Sequence, residues 1–394
     1  MKDDIILLST AEWDNPFWTN KQHVALELAR RGHRVFYIDS IGLRKLSGSS
    51  QDIHRVFRRL RAAVSPPRRV HENILVWSPL VLPMQKHAVV RMFNRMVMRA
   101  WLSLWLRVFG IKKQILWTYY PLTTEILSTT PFEKTVYHCV DEIKAQPGMP
   151  KDVIDIAEHR LLERADIVFT TSVKLYESRR QHNRNTYYLP NVADYRHFSR
   201  AMDPALSCPE DMIDIPAPRI GFIGAISGYK IDFRLIREIA EKRPAWSIVM
   251  IGKVGEGDPW TDVGVLEGIP NIHLLGPRPY SELPSYLKTF DVAILPNRIN
   301  EYTNSMFPMK FFEYLSAGKP VVSVDLPALR QFSELVYLAR TYDEFIEFVE
   351  KTLGGKSAPL EKRLSLARQH TYETRTEKMM QLLCDTESRA GSWV

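Results

Sequence analysis

The stretch from Phe307 to Val322 constrains the fold more than any other part of the chain. It reads as one short helix, 308–317, followed at once by a strand. Pro308 suits a first helical position, where a missing N–H costs nothing. Gly318 stands where a helix ends, and Pro320 blocks its continuation. Val321 and Val322 then open an apolar run. A helix delivered into a buried strand through so tight a turn is half of a parallel-sheet unit.

The same alternation runs through the whole sequence. Residues 3–9 read as a buried strand, 21–32 as a helix closed by Gly32, and 35–38 as the next strand. Further strands fit at 74–77, 115–119, 135–139 and 167–170, with helices near 87–109, 152–164 and 173–181. Together these predict one doubly wound domain over 1–195. Residues 196–218 are rich in Pro, Asp and Ser and read as a linker. Strands at 219–225, 246–252, 272–275, 292–296 and 320–324 alternate with helices at 232–243, 280–290 and 308–317, giving a second domain over 219–365. Residues 328–353 read as helical throughout. The tail, 366–394, also reads as helical and is expected to pack back on the first domain. Two Rossmann-like halves of this kind are expected to face a central cleft, where open α/β sheets bind ligands.

Charge is uneven along the 394 residues, whose formal net charge is +8. Residues 1–200 hold 31 Lys/Arg against 19 Asp/Glu, and the remainder holds 22 against 26. The first half therefore suits an anionic partner. No nucleic-acid recognition motif accompanies the excess. An anionic membrane surface fits better, because 87–109 is apolar, basic and rich in Trp. The alternative is a core helix with snorkelling arginines. Arg55, Arg58, Arg59, Arg61, Arg68 and Arg69 lie nearby, so 55–69 joins that surface. Cys139, Cys208 and Cys384 are odd in number and far apart, which implies a reducing cytoplasm and no structural zinc. No run of ~18 apolar residues is present, so a spanning helix is not expected. The start of the chain reads as a first strand, not a signal peptide.

Several residues could carry chemistry. Lys310 and Glu313 lie three apart on one helix face. A cation and a carboxylate beside a helix N-terminus suit a diphosphate and a sugar diol. Met309 immediately precedes them. Tyr302, Thr303, Asn304 and Ser305 form the preceding loop, where hydroxyl and amide groups can read a sugar; the alternative is a plain polar loop. Gly224 and Lys230 belong to a Gly-rich turn after a strand, where backbone and ammonium could meet phosphate. Asn297, at the end of another strand, could contact a base. Trp13 and Trp18 sit in an aromatic loop before Asn20, serving either as an acceptor-side wall or as pins to the core. Asp141 ends a strand, where a carboxylate is placed to accept a proton; His138 is the other candidate base. No metal-ligand pattern appears, and no cofactor beyond the co-substrate is expected.

The Phe307–Val322 segment resembles the donor-binding signature of GT-B glycosyltransferases, especially family 4. In that signature a glutamate before a small-Gly-x-Pro-Val-Val turn binds the donor ribose, and Glu313 matches it. Ser305 stands where many members carry a second glutamate. Met309-Lys310 resembles a membrane-associated inverting glucuronosyltransferase of exopolysaccharide assembly. Trp13 to Gln22 resembles teichuronic-acid-type transferases, and Pro190-Asn191 with Asp194 resembles the GT-B domain junction. The resemblance implies a two-domain GT-B fold and transfer of a sugar, inverting or retaining, from a UDP-linked donor to a saccharide or lipid-linked saccharide in cell-surface polysaccharide synthesis. It implies an aspartate base in the first domain and no bound metal. The site of action would be the cytoplasm or the inner face of the plasma membrane. The alternatives are an epimerase or hydrolase on the same scaffold, or a non-catalytic nucleotide-sugar-binding scaffold.

Overall fold

The computed structural model describes residues 3–41, 66–79, 82, 87–112, 114–127 and 132–390. The chain divides into two compact units: Met1–Leu189 with Thr376–Val394, and Pro190–Arg375.

Unit 1 contains β1 (Asp4–Leu8), β2 (Arg34–Ile38), β3 (Arg68–His71), β4 (Ile74–Trp77), β5 (Ile115–Thr118), β6 (Lys134–Cys139), β7 (Ile167–Thr170) and β8 (Thr186–Tyr188). They form one sheet in the order β3-β4-β2-β1-β5-β6-β7-β8. Every pairing is parallel except β3 with β4. A strand covered on both faces reads as a continuous apolar run, and β1 does so. Its alternate residues feed two layers, as the strand period requires. Ile5 and Leu7 pack with Val24 and Leu28 of helix Asn20–Arg30. Ile6 and Leu8 pack with Met98 and Leu102 of helix Ala88–Val108.

Unit 2 contains β9 (Arg219–Ile223), β10 (Ser247–Ile251), β11 (Ile272–Gly276), β12 (Val292–Leu295), β13 (Val321–Val324) and β14 (Val336–Ala339). Their order is β11-β10-β9-β12-β13-β14, all parallel. Strand order reverses between β9 and β12, so their carboxyl ends flank the crevice where such sheets hold ligands.

Four features differ from expectation. Residues 196–218 are not a free linker: Phe198, Ala201, Met212 and Ile215 are buried in the core of unit 2. The chain passes between units near 190 and again near 375, rather than at 195 and 366. Residues 328–353 are not one helix. A 3₁₀ turn (Pro327–Phe332) and β14 precede helix Tyr342–Leu353, because Val336 gains a ladder with Val321 on the edge of β13. The helix expected from Pro308 runs over Lys310–Ser316; Pro308 instead accepts a turn hydrogen bond from Phe311 N–H at 3.1 Å. The final helix, Tyr372–Ala390, places Met379 and Leu383 in the core of unit 1.

Candidate active site

Helix Lys310–Ser316 lies against the sheet of unit 2 through Phe311, Phe312, Tyr314 and Leu315, all buried. The Tyr314 hydroxyl fastens it to the end of β9. It accepts from Ile223 N–H at 2.9 Å and lies 3.3 Å from the Ile223 carbonyl. Burial holds that phenol well above its usual pKa. Asn191 donates from Nδ2 to the Phe307 carbonyl at 2.6 Å, which fixes the approach to the helix.

On the helix, Lys310 Nζ and Glu313 Oε2 are 2.7 Å apart. The carboxylate side chain is 5% exposed and the lysine 27%. The pair is therefore not a solvated surface contact of the kind that contributes only a few tenths of a kcal/mol. A helix of seven residues has too small a dipole to hold an anion by itself, so the charge for one comes from the lysine. Met309 occupies the N-cap position without a side-chain cap.

The loop after β9 reaches this pair. A Cβ on Gly224 would lie 3.6 Å from Lys310 Cε. Gly224 is also pressed from the β10 side, because a Cβ on Gly252 would lie 1.7 Å from the Gly224 carbonyl oxygen. Gly252 itself sits at φ +153. Further along, the Lys230 ammonium lies 5.3 Å from the Tyr229 ring centre and 5.5 Å from that of Tyr302, within cation–π range. The Lys230 carbonyl accepts from Arg298 N–H at 2.8 Å and from Asn297 Nδ2 at 3.2 Å. Asn300 Nδ2 donates to the Tyr229 carbonyl at 2.6 Å. The loops leaving β9 and β12 are thus stitched together across the switch point.

Asn304 ends the one-turn helix Glu301–Asn304, which also carries Tyr302. Ser305 is buried, and its hydroxyl donates back to the Glu301 carbonyl at 2.7 Å. Sequence reasoning missed His197 and Tyr280, and gave Tyr302 a role for its hydroxyl rather than for the ring that faces Lys230. His197 stacks on Tyr280 at 4.1 Å, and its Nε2 donates to the Tyr280 carbonyl at 2.8 Å. Burial lowers the His197 pKa against the opposing pull of that bond, Asp194 and Glu313. Burial raises Tyr280, and the Glu313 charge adds to the rise. The available signal was the Asn191–Asp194 motif, whose Asp194 caps the turn carrying His197.

In unit 1 the switch point lies between β1 and β5. Asp141, half-buried, follows β6. His138 does not fit the role of base. Its ring is fully buried beside Tyr119 at 4.7 Å, Trp117 at 6.1 Å and Phe169 at 6.1 Å, so no acceptor can reach it. Trp13 is a pin rather than a wall: it is buried, 5.1 Å from Tyr37 and 5.4 Å from Trp18. Trp18 is half-buried and packs on His23. Asn20 is buried at the helix start and does not project outward. The same loop holds Asp39, which sequence reasoning also missed. Asp39 accepts from Trp13 N–H at 2.7 Å and from the Ser78 hydroxyl. Burial pushes it up to about 6, against those two bonds. Among the described residues, no cluster of His, Cys, Asp and Glu could hold a metal ion.

Residues 217–353 match the family model described as Glycosyl transferases group 1. A relative in Bacillus subtilis (strain 168), provisionally named as the teichuronic acid biosynthesis glycosyltransferase TuaH, is 29% identical over 287 residues, covering 67% of this chain and 70% of that one. Sucrose-phosphate synthase from Thermosynechococcus elongatus superposes with a TM-score of 0.68 at 14% identity, covering 98% and 100% of the two chains. HepE of Anabaena, solved with UDP and glucose, gives 0.65 at 14%, covering 97% and 99%.

Proposed function

For this chain, a glycosyltransferase of the GT-B fold with a group 1 domain in its second unit, we propose transfer from a UDP-sugar to a saccharide or lipid-linked saccharide of a cell-surface polymer. The observation that carries the donor side is the Lys310–Glu313 pair beside Gly224 at the switch point of unit 2. Lys310 exchanges its contact with Glu313 for the donor diphosphate, and Glu313 then accepts from the ribose hydroxyls. Lys230 adds a second cation from its tyrosine clip. These ammonium groups offset the charge that develops on the departing UDP, the role a metal plays elsewhere. Asp141 takes the proton of the acceptor hydroxyl. The acceptor oxygen bonds to the anomeric carbon, the bond to the β-phosphate breaks, and UDP leaves with that electron pair. Position 305 carries a serine, whose hydroxyl donates to the Glu301 backbone carbonyl, where a retaining route would use a carboxylate; this favours inversion.

The acceptor reading extends to the membrane face of the cytoplasm. On helix Ala88–Val108, Met98 and Leu102 are buried, while Val89, Met92, Met96 and Val108 are 60–73% exposed. Arg99 and Arg107 are exposed beside them. An apolar row with arginines suits an anionic lipid surface, and each arginine near it contributes ~1 kcal/mol. Of the basic run at 55–69, only Arg68 and Arg69 fall within the described residues. No helix among the described residues is long and apolar enough to cross a membrane.

The test is UDP release from a panel of UDP-sugars with polysaccharide-precursor acceptors, with and without a chelator. Acceptor-dependent release that is insensitive to chelator and abolished in Asp141→Asn supports the reading. Free sugar or an epimer formed without acceptor overturns it. Vesicle flotation tests the membrane part: binding should require anionic lipid and weaken with salt.

A further inference from the structure

We propose that Arg179 is a positioning residue whose guanidinium fork, through Glu142, fixes the turn that presents Asp141. The proposal rests on Asp141 being the base that accepts the acceptor's proton.

The Asp141 turn is clamped on both sides. Before it, the Val140 carbonyl accepts from the Thr171 hydroxyl at 2.8 Å. After it, Glu142 accepts a two-pronged contact from Arg179: Nη1 to Oε2 at 2.6 Å and Nη2 to Oε1 at 2.8 Å. The same Nη2 reaches both oxygens of Glu158, at 3.0 and 2.9 Å. Glu158 in turn accepts from the Tyr137 hydroxyl at 2.6 Å. Arg179, Glu142 and Glu158 are each less than 9% exposed. The three come from helix Val173–Arg180, the turn after β6 and helix Lys151–Arg164.

Stability alone does not account for such a cluster. Well-packed apolar side chains of similar volume usually hold buried elements at least as firmly as ionic ones. One guanidinium here also serves two carboxylates that burial takes out of water. A planar fork gripping a carboxylate instead supplies orientation, which a lysine or an apolar contact does not. The residue whose orientation it sets stands next to Glu142. Misplacing a reacting group by about 1 Å costs on the order of a hundredfold in rate.

The experiment compares Arg179→Lys, Glu142→Gln and Asp141→Asn in steady-state transfer from UDP-sugar. Rates are normalised to UDP-binding sites, and a melting curve is taken for each variant. Asp141→Asn is expected to be inactive. Arg179→Lys and Glu142→Gln are expected to lose at least about tenfold in kcat, with both KM values within about twofold of wild type. A merely structural contact would lower the melting point and leave normalised kcat unchanged; that result overturns the proposal. A rise in acceptor KM at constant kcat also overturns it. If Arg179→Lys does not fold, Glu142→Gln, which keeps side-chain shape, decides alone. Should Asp141→Asn remain active, the assignment of the base fails and the positioning role fails with it, which separates the two cases.

Discussion

Replacing Gly252 with alanine tests the packing that builds the donor loop. The new Cβ would lie 1.7 Å from the Gly224 carbonyl oxygen and 2.8 Å from its carbon, both backbone atoms. Neither strand end can yield cheaply. Gly252 N–H donates to the Gly276 carbonyl at 2.9 Å, and Gly224 N–H donates to the Ile251 carbonyl at 2.9 Å. Relief requires breaking one of these, a cost of about 1 kcal/mol, while a non-glycine residue at φ +153 adds about 2 kcal/mol. The total, about 3 kcal/mol, corresponds to a melting point lower by roughly 6–12 °C for a unit of this size. Gly224→Ala is the control. Its Cβ would meet the tip of the Phe222 ring at 2.9 Å, a side-chain rather than a backbone atom, and Lys310 Cε at 3.6 Å. It should melt within about 3 °C of wild type yet bind UDP more weakly, because the methyl stands beside the lysine. Thermal unfolding with and without UDP measures both effects. If Gly252→Ala melts with wild type, the close approach of the two loops is refuted.

Three further outcomes follow from the same geometry. Tyr314→Phe leaves Ile223 N–H without its partner in a buried setting and should cost about 1–3 kcal/mol in denaturant unfolding; an unchanged midpoint would contradict the fastening role. Asp39 is held at about 6, above its usual 3.8, so the folded state keeps a proton that the unfolded chain releases. This group's contribution is therefore full below about pH 4 and lost as pH rises through 6, a decline of about 3 kcal/mol. Asp39→Asn should flatten the melting-point profile between pH 4 and 7, and an unaltered slope would exclude Asp39 as its source. Tyr302→Phe keeps the aromatic face toward Lys230 and should bind UDP like wild type. Tyr302→Leu should lose about threefold or more in UDP affinity while uridine binding stays constant, and equal losses for the two ligands would refute the clip.

The parallel-sheet architecture was legible because buried parallel strands carry unbroken apolar runs such as Ile5–Leu8 and Ile167–Phe169. β14 was not, because Val336–Ala339 becomes a strand only through its pairing with β13. The Lys310–Glu313 pair could be read from spacing, since helix neighbours are close in sequence. The clip on Lys230 could not, because Tyr302 arrives through the separate loop after β12. Nor could the Arg179–Glu142–Glu158 cluster, whose members lie on three elements. Two tryptophans before a helix left a sugar-binding wall and a core pin equally open. The packing of Trp13 on Tyr37, held by Asp39 at the backbone, gives it the second role. His138 was ambiguous for the same reason: nothing local told a base from a ring packed among Trp117, Tyr119 and Phe169.

Calorimetric titration of UDP and of uridine into wild type, Lys310→Ala and Glu313→Ala tests the donor site most directly. Lys310→Ala should weaken UDP by about tenfold, the equivalent of one charge-assisted hydrogen bond, and leave uridine nearly unaffected. Glu313→Ala should weaken both ligands, because both carry the ribose. UDP binding equally well to all three proteins would contradict the assignment of diphosphate and ribose to this pair.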